Sequence, residues 1–197
     1  MSTDNETIAV YGQKAADYAE LVASEAPDAT LAAFIGGLPS GGHVLDLGCG
    51  PGQAAAMMAR AGLRVEATDA TPEMVALAAA HEGVTARLAT FDDIAGCDLY
   101  DGIWANFSLL HAPRADMPRH LAALRMALKP GGLFHIGMKT GSGEKRDSLG
   151  RLYTYYTEEE LCGLLREAGF TPFSSDHGAE PGLDGVTAPW VTIAAHG

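Results

Sequence analysis

The stretch Val44-Leu45-Asp46-Leu47-Gly48-Cys49-Gly50-Pro51-Gly52 decides the fold. HVLDL (43–47) has the length and apolar character of a buried strand. Glycines at alternate positions end it, and a helical pattern begins near Gly52. Glycine admits positive φ and lets a ligand approach the backbone closely. The first turn of the next helix then presents free N–H groups. A dinucleotide-type GxGxxG fingerprint needs glycine at position 53, where this chain has Gln53. The spacing is GxGxG, which counts against a nicotinamide-dependent oxidoreductase. A tight turn with no ligand is the plainer alternative; the sequence strand, turn, helix favours a binding site.

Outward from this turn, short apolar runs alternate with helical patterns. The further runs are RVEAT (64–68), VTARL (84–88), YDGIWA (100–105) and GLFHIGM (132–138). Strands separated by helices give βαβ units and a parallel sheet. Thr71-Pro72-Glu73 supplies an N-cap, a proline at the first helical position and an acid in the first turn. Gly62 suits the end of the preceding helix. Met117, Leu121, Leu124 and Leu128 share one helical face before Lys129-Pro130-Gly131-Gly132 stops that helix. The acidic segment Asp92 to Asp98 leaves room for a brief helix at most. Residues 6–37 read as two helices, with Tyr11, Ala15, Tyr18 and Val22 on one face of the first. Thr140–Gly150 reads as a polar loop, and Thr157 with Glu160 forms a capping box for a helix to Ala168. Phe170–Ser175 and Pro189–Ala194 are joined without a helical pattern, so they are expected to pair antiparallel.

The chain has 197 residues, enough for one domain spanning 1–197, with 1–38 as an N-terminal helical cap and 140–151 as a substrate loop. It is 47% hydrophobic and 19% charged, a globular composition. Its formal charge of −12 repels phosphate backbones and anionic lipid, so neither nucleic acid nor membrane is an expected partner. No uncharged apolar run reaches the ~20 residues of a membrane span. The start, MSTDNE, is polar and acidic, unlike a signal or transit peptide. Cys49, Cys97 and Cys162 lack CxxC spacing, which points to a reducing compartment, the cytoplasm, and to no metal site.

The glycine segment, with the landmarks that follow it, resembles motif I of the class I S-adenosylmethionine-dependent methyltransferases. The resemblance implies a Rossmann-like α/β fold: a seven-stranded sheet of order 3-2-1-4-5-7-6, strand 7 antiparallel, helices on both faces. It implies S-adenosylmethionine as cofactor and methyl transfer to a small-molecule acceptor; a binding module or sensor without catalysis keeps the same pocket. In the family the turn of Gly48, Cys49, Gly50 and Gly52 passes under the methionine part, and the strand acid, here Asp46, helps hold its ammonium group. Asp69, about 20 residues after the turn, stands where an acid binds ribose hydroxyls; a solvated loop acid is the alternative. Ala70 and Met74 flank the adenine, Met74 being equally suited to a helix core. Thr90 replaces the family's usual adenine-reading Asp, Phe91 supplies the backbone N–H, and Asp92 is either a third contact or a solvated acid.

YDGIWA through SLLHAPR, LKPGG, KTGSGE and GRLYTYYTEEEL is similar to a small bacterial stand-alone branch related to tellurite-resistance and thiopurine methyltransferases. Asn106 ends the fourth strand at the edge where cofactor and substrate meet, which makes it a candidate for cofactor contact and, with His111, for a catalytic role. Asn106-Phe107-Ser108 is not the base and amide N-methyltransferase signature, and a Pro-Cys nucleophile and a catechol-type metal cluster are both lacking. His111, with an ordinary pKa near 6.5, is either a general base or a packing residue. Tyr11, Tyr18, Phe107 and Arg151 are expected on the substrate side. Lys139, Glu144, Lys145, Arg146 and Arg151, with Tyr153, Tyr155 and Tyr156, form a substrate lid or a solvated loop. As a lid, the cations imply an anionic group on the substrate.

Overall fold

In a computed structural model the described residues are 4–197; Met1 to Thr3, which open the acidic N-terminus, lie outside them. The chain starts with α1 (Asn5–Gln13), α2 (Ala15–Leu21) and α3 (Ala29–Gly36). It continues through β1 (His43–Leu47), α4 (Gln53–Arg60), β2 (Arg64–Asp69), α5 (Pro72–Ala79), β3 (Val84–Leu88) and β4 (Tyr100–Asn106). The second half holds α6 (Met117–Ala127), β5 (Leu128–Lys139), β6 (Glu144–Arg146), β7 (Leu152–Thr154), α7 (Glu158–Glu167), β8 (Thr171–Pro181) and β9 (Thr187–His196).

Seven strands form one sheet in the order β3-β2-β1-β4-β5-β9-β8. With the small β6–β7 pair set apart, this is the expected 3-2-1-4-5-7-6, and β9 runs antiparallel to both neighbours. Alternation along the central strands divides the core in two. Leu45, Leu47, Ile103, Phe134 and Ile136 pack with Leu121 and Leu124 of α6 and Leu161 and Leu165 of α7. Val44, Val65, Ala67 and Trp104 face the other way, against Phe34 of α3, Met58 of α4 and Ala78 of α5. Each fully buried Leu, Val or Phe contributes about 1.5–3 kcal/mol, so helices are needed on both faces.

Gly52 shows why the turn needs its last glycine. It caps α4 at φ +84°, and a Cβ there would fall 2.7 Å from the Ala78 Cα of α5. Gly52 therefore sets how closely α4 and α5 pack.

Several sequence expectations are corrected. The N-terminal region holds three helices, not two: Lys14 (φ −106°) interrupts the first without turning its Tyr11–Tyr18 face. Residues 129–132 do not separate helix from strand. Leu128 already pairs with Tyr100, and Pro130 and the two glycines form an irregularity before register resumes at Gly102–Leu133. The 140–151 segment is ordered by the β6–β7 pairing, because the Asp147 carboxylate accepts the backbone N–H groups of Leu149 and Arg151 and closes the turn. Strands β8 and β9 run well beyond the expected segments and form a long hairpin. The acidic segment holds one 3₁₀ turn at Phe91–Asp93, and the Thr157–Glu160 capping box forms as read.

The N-terminal helices are tied to the β6–β7 pair. Arg146 donates from both terminal nitrogens to Asp4 at 2.9 and 2.8 Å, and Leu152 N–H donates to Thr7 Oγ1 at 2.8 Å. Among the described residues no helix is long and apolar enough to cross a membrane.

Candidate active site

The carboxyl ends of β1, β2, β4 and β5, roofed by α1, α2 and the β8–β9 hairpin, enclose a cavity of about 730 Å³. That volume suits a small-molecule site. Open parallel sheets bind ligands at this edge, where the crossovers diverge.

One end is built by the turn after β1. Asp46 is 3% exposed, and its Oδ2 has no hydrogen-bond partner among the described residues. Burial raises its carboxyl to about 7, the Asp69 charge adding to the effect and the Ala55 backbone N–H opposing it. A buried acceptor without a donor calls for a cationic or N–H-bearing partner. Gly48, Cys49 and Gly50 follow along the wall. Gly50 has φ +53°, and a Cβ there would project towards the Tyr18 ring, 3.3 Å away across the cavity. Burial pushes the Cys49 thiol up, so it stays protonated and inert.

Asp69 terminates β2. One oxygen accepts Gly50 N–H at 2.9 Å and the other Thr71 N–H at 2.8 Å. The carboxylate thus fixes both the glycine turn and the start of α5. Each oxygen keeps lone pairs for a further donor. Burial raises its pKa, against these backbone donors. Ala70, Met74, Thr90 and Phe91 continue the wall. Met74 is also fully buried, so the ligand-wall and core roles coincide. The Thr90 hydroxyl is already used as a cap: it accepts from Asp92 N–H and donates to Asp93.

Two expected contacts lie elsewhere. Gly52 does not line the cavity; it packs on α5. Asp92 points outward, 2.6 Å from Arg119.

The other end is aromatic. Tyr11, Tyr18, Phe107, His111 and Arg151 all reach it, although they come from four separate segments. Asn106 Oδ1 accepts from His135 Nε2 at 2.9 Å, and its amide NH₂ makes no hydrogen bond within the described chain. Phe107 sits at φ +53°, a strained conformation for a bulky residue, held by its N–H to Gly137 O at 3.0 Å. That backbone turns the ring against Trp190, with centroids 6.1 Å apart.

His111, read from the sequence as either a general base or a packing residue, is hydrogen-bonded through both ring nitrogens. Its Nδ1 lies 2.6 Å from Leu152 O, which can only accept, so Nδ1 carries the proton. Nε2 then accepts from the Tyr11 hydroxyl at 2.9 Å. Tyr11 in turn accepts from Arg151 Nη1 at 2.9 Å, and Arg151 is gripped by Asp147 at 2.6 Å. Burial lowers the His111 pKa to about 4, with Arg151 and Lys139 adding to the effect against the Leu152 carbonyl. Both ring nitrogens are committed, and the ring is neutral near pH 7.

Sequence reasoning missed the tip of the β8–β9 hairpin, which brings Gly182, Leu183 and Ala188 to the cavity, and also Trp190 and Ser108. A Gly-Leu-Asp-Gly tip (182–185) between two strands was the available hint.

Residues 44–132 match the family model described as a methyltransferase domain. A ubiquinone biosynthesis O-methyltransferase of Xanthomonas axonopodis pv. citri is 36% identical over 101 residues, 48% of this chain and 41% of that one. The chain thus spans under half the length of the curated relatives it matches. A Burkholderia thailandensis 1,6-didemethyltoxoflavin-N1-methyltransferase, solved with 1,6-didemethyltoxoflavin and S-adenosylhomocysteine, is 27% identical, with 100% of this chain and 91% of that chain covered at a TM-score of 0.75. A Methanosarcina mazei structure described as an S-adenosylmethionine-dependent methyltransferase shares the fold at 18% identity, covering 87% of this chain and 98% of that one, with a TM-score of 0.74.

Proposed function

We propose that the chain is a class I S-adenosylmethionine-dependent methyltransferase, which transfers a methyl group from S-adenosylmethionine to a small-molecule acceptor. The observation that carries this is the unmatched, buried Asp46 oxygen in one cavity with the glycine turn and Asp69. A ligand with an ammonium group at one end and vicinal hydroxyls further along answers both carboxylates. The aromatic end of the same cavity leaves a separate place for an acceptor. A reducing, cytoplasmic setting fits the three unpaired cysteines, and the net acidity disfavours nucleic acid as the acceptor.

S-adenosylmethionine, when bound, supplies a methyl group on a sulfonium, so the acceptor lone pair forms the new bond as the carbon–sulfur bond breaks and its electron pair stays on sulfur. The chain's own contribution is alignment and exclusion of water. Asp46 would hold the ammonium group and Asp69 the ribose hydroxyls of the cofactor, the Gly50 backbone would give it room, and α1, α2 and the β8–β9 tip cover the far side. Positioning of this kind is worth roughly 7–11 kcal/mol when the reacting atoms are well held. His111 positions rather than deprotonates: it orients the Tyr11 hydroxyl and receives its proton as a hydrogen bond.

Calorimetry with S-adenosylhomocysteine tests the proposal. Wild-type protein should bind it, and Asp69→Asn should lose about 1–3 kcal/mol of that affinity, since one carboxylate acceptor becomes a donor. No binding by the wild type, or wild-type affinity in the variant, would overturn it.

A further inference from the structure

Lys139 and Trp190 form a pair of donors with nothing to donate to. Lys139 ends β5 and lies directly opposite Trp190 on β9 in the antiparallel register, so both side chains project to the same face of the sheet. Both line the cavity at its aromatic end. Among the described residues no carboxylate lies within 4.0 Å of the Lys139 ammonium, and it makes no hydrogen bond; it rests 4.1 Å over the Tyr153 ring. The Trp190 indole N–H is buried and likewise without a partner. Its ring lies against Gly178 of β8, where a Cβ would fall 2.2 Å from the indole, so the glycine makes the space the indole fills.

The surrounding charges leave this pair without an ion-pair partner. Arg151 is already neutralised by Asp147. Asp184, on the hairpin tip, faces Lys139 across Gly182, its Oδ1 and the Lys139 Nζ lying 3.0 and 3.4 Å from where a Gly182 Cβ would stand, but forms no ion pair with it within 4.0 Å; Lys145 lies over the Tyr155 ring. Burial lowers the Lys139 pKa, and Asp184 only partly opposes it. An anion in the cavity is the partner that would offset that cost.

The walls around the two donors are flat. Phe107, Tyr11 and Tyr153 join Trp190, and His111 stands 4.7 Å from Tyr153, ring to ring. Such walls accept a ring by stacked or edge contacts. An aromatic enclosure also suits a quaternary cation, but an unneutralised ammonium in the same wall repels one.

We propose that the acceptor is a planar ring bearing an acidic O–H or N–H, and that Lys139, assisted by the Trp190 N–H, holds its ionised form. The proton goes to solvent before the ring is enclosed, and the resulting anion keeps the lone pair that attacks. This explains how a chain whose cavity histidine is committed can act on a protic acceptor. The inference rests on the methyltransferase reading of the site.

The test uses protein saturated with S-adenosylhomocysteine and 4-nitrophenol as probe, since its ionised form absorbs visibly. Bound nitrophenol should ionise about 1–3 pH units below the free probe, the effect of an opposite charge within a few ångströms. Lys139→Met should abolish the shift, Lys139→Arg should retain it, and Trp190→Phe should reduce it, all with unchanged S-adenosylhomocysteine affinity. Nitrobenzene, neutral and similar in shape, should bind at least tenfold more weakly, and phenyltrimethylammonium more weakly still. An unshifted midpoint, a shift that survives in Lys139→Met, or preference for either control would overturn the inference while leaving the cofactor site standing. Failure of S-adenosylhomocysteine itself to bind would instead remove the methyltransferase reading beneath it.

Discussion

If Asp46 receives the ammonium group of the cofactor, binding must expel a proton. In the free protein its carboxyl titrates at about 7 because it is buried with an unmatched oxygen. An ammonium brought against it lowers that value by about 1–3 units, to near 5. The ratio of the two protonation polynomials then makes affinity about tenfold weaker at pH 6 than at pH 8, or ~1.4 kcal/mol. Proton release should be ~0.8 per ligand at pH 6, ~0.5 at pH 7 and ~0.1 at pH 8. Isothermal calorimetry with S-adenosylhomocysteine in two buffers of different ionisation enthalpy measures both quantities. Asp46→Asn should bind about tenfold or more weakly at pH 8, from loss of a charged hydrogen bond of ~1.5–3 kcal/mol, with no pH dependence. The free protein should respond oppositely. A carboxyl whose pKa is raised on folding favours the fold at low pH and loses that contribution as pH rises from about 4 to about 7, so Asp46→Asn should be at least as stable as wild type at pH 8. A wild-type affinity flat from pH 6 to 8 without proton release, or a variant that keeps both, would refute the assignment of Asp46.

Gly52→Ala should cost about 2–5 kcal/mol, combining the left-handed backbone penalty with overpacking against Ala78. That corresponds to a fall of roughly 4–20 °C in thermal midpoint by calorimetry, and a change under 2 °C would show that α5 simply yields. For His111, whose pKa is lowered to about 4, the sign is the reverse of Asp46: it favours the fold above pH 6.5 and its contribution is lost as pH falls towards 4. About 1–3 kcal/mol is at stake, and His111→Gln should unfold in acid with a shallower pH dependence than wild type. The pH–rate profile of that variant should keep the wild-type shape, even though turnover falls, and loss of a wild-type inflection would restore His111 as a general base.

The order of strands and helices was legible because each is signalled by neighbours in the chain. Apolar runs of five to seven residues, the glycine turn at 48–52, proline at the start of α5 and the Thr157–Glu160 capping box are local patterns with local physical causes. Asp46 and Asp69 could be located for the same reason: strand ends fix their positions relative to the turn. The sheet order itself came from the family resemblance, since alternation specifies parallel pairing but not which strand lies beside which. What the tertiary structure alone decided are contacts between distant segments. Tyr11 meets His111 across 100 residues and Arg151 across 140, and that chain of hydrogen bonds, invisible in the sequence, is what holds the His111 ring in place. Lys139 and Trp190 become neighbours only through the register of β5 on β9. Gly52 reads as a ligand glycine in the sequence and proves to be a packing glycine, because the atom it must avoid belongs to α5, 26 residues further on. Local propensity carries no information about such meetings; burial, register and the protonation states they impose exist only once the sheet has closed the distance.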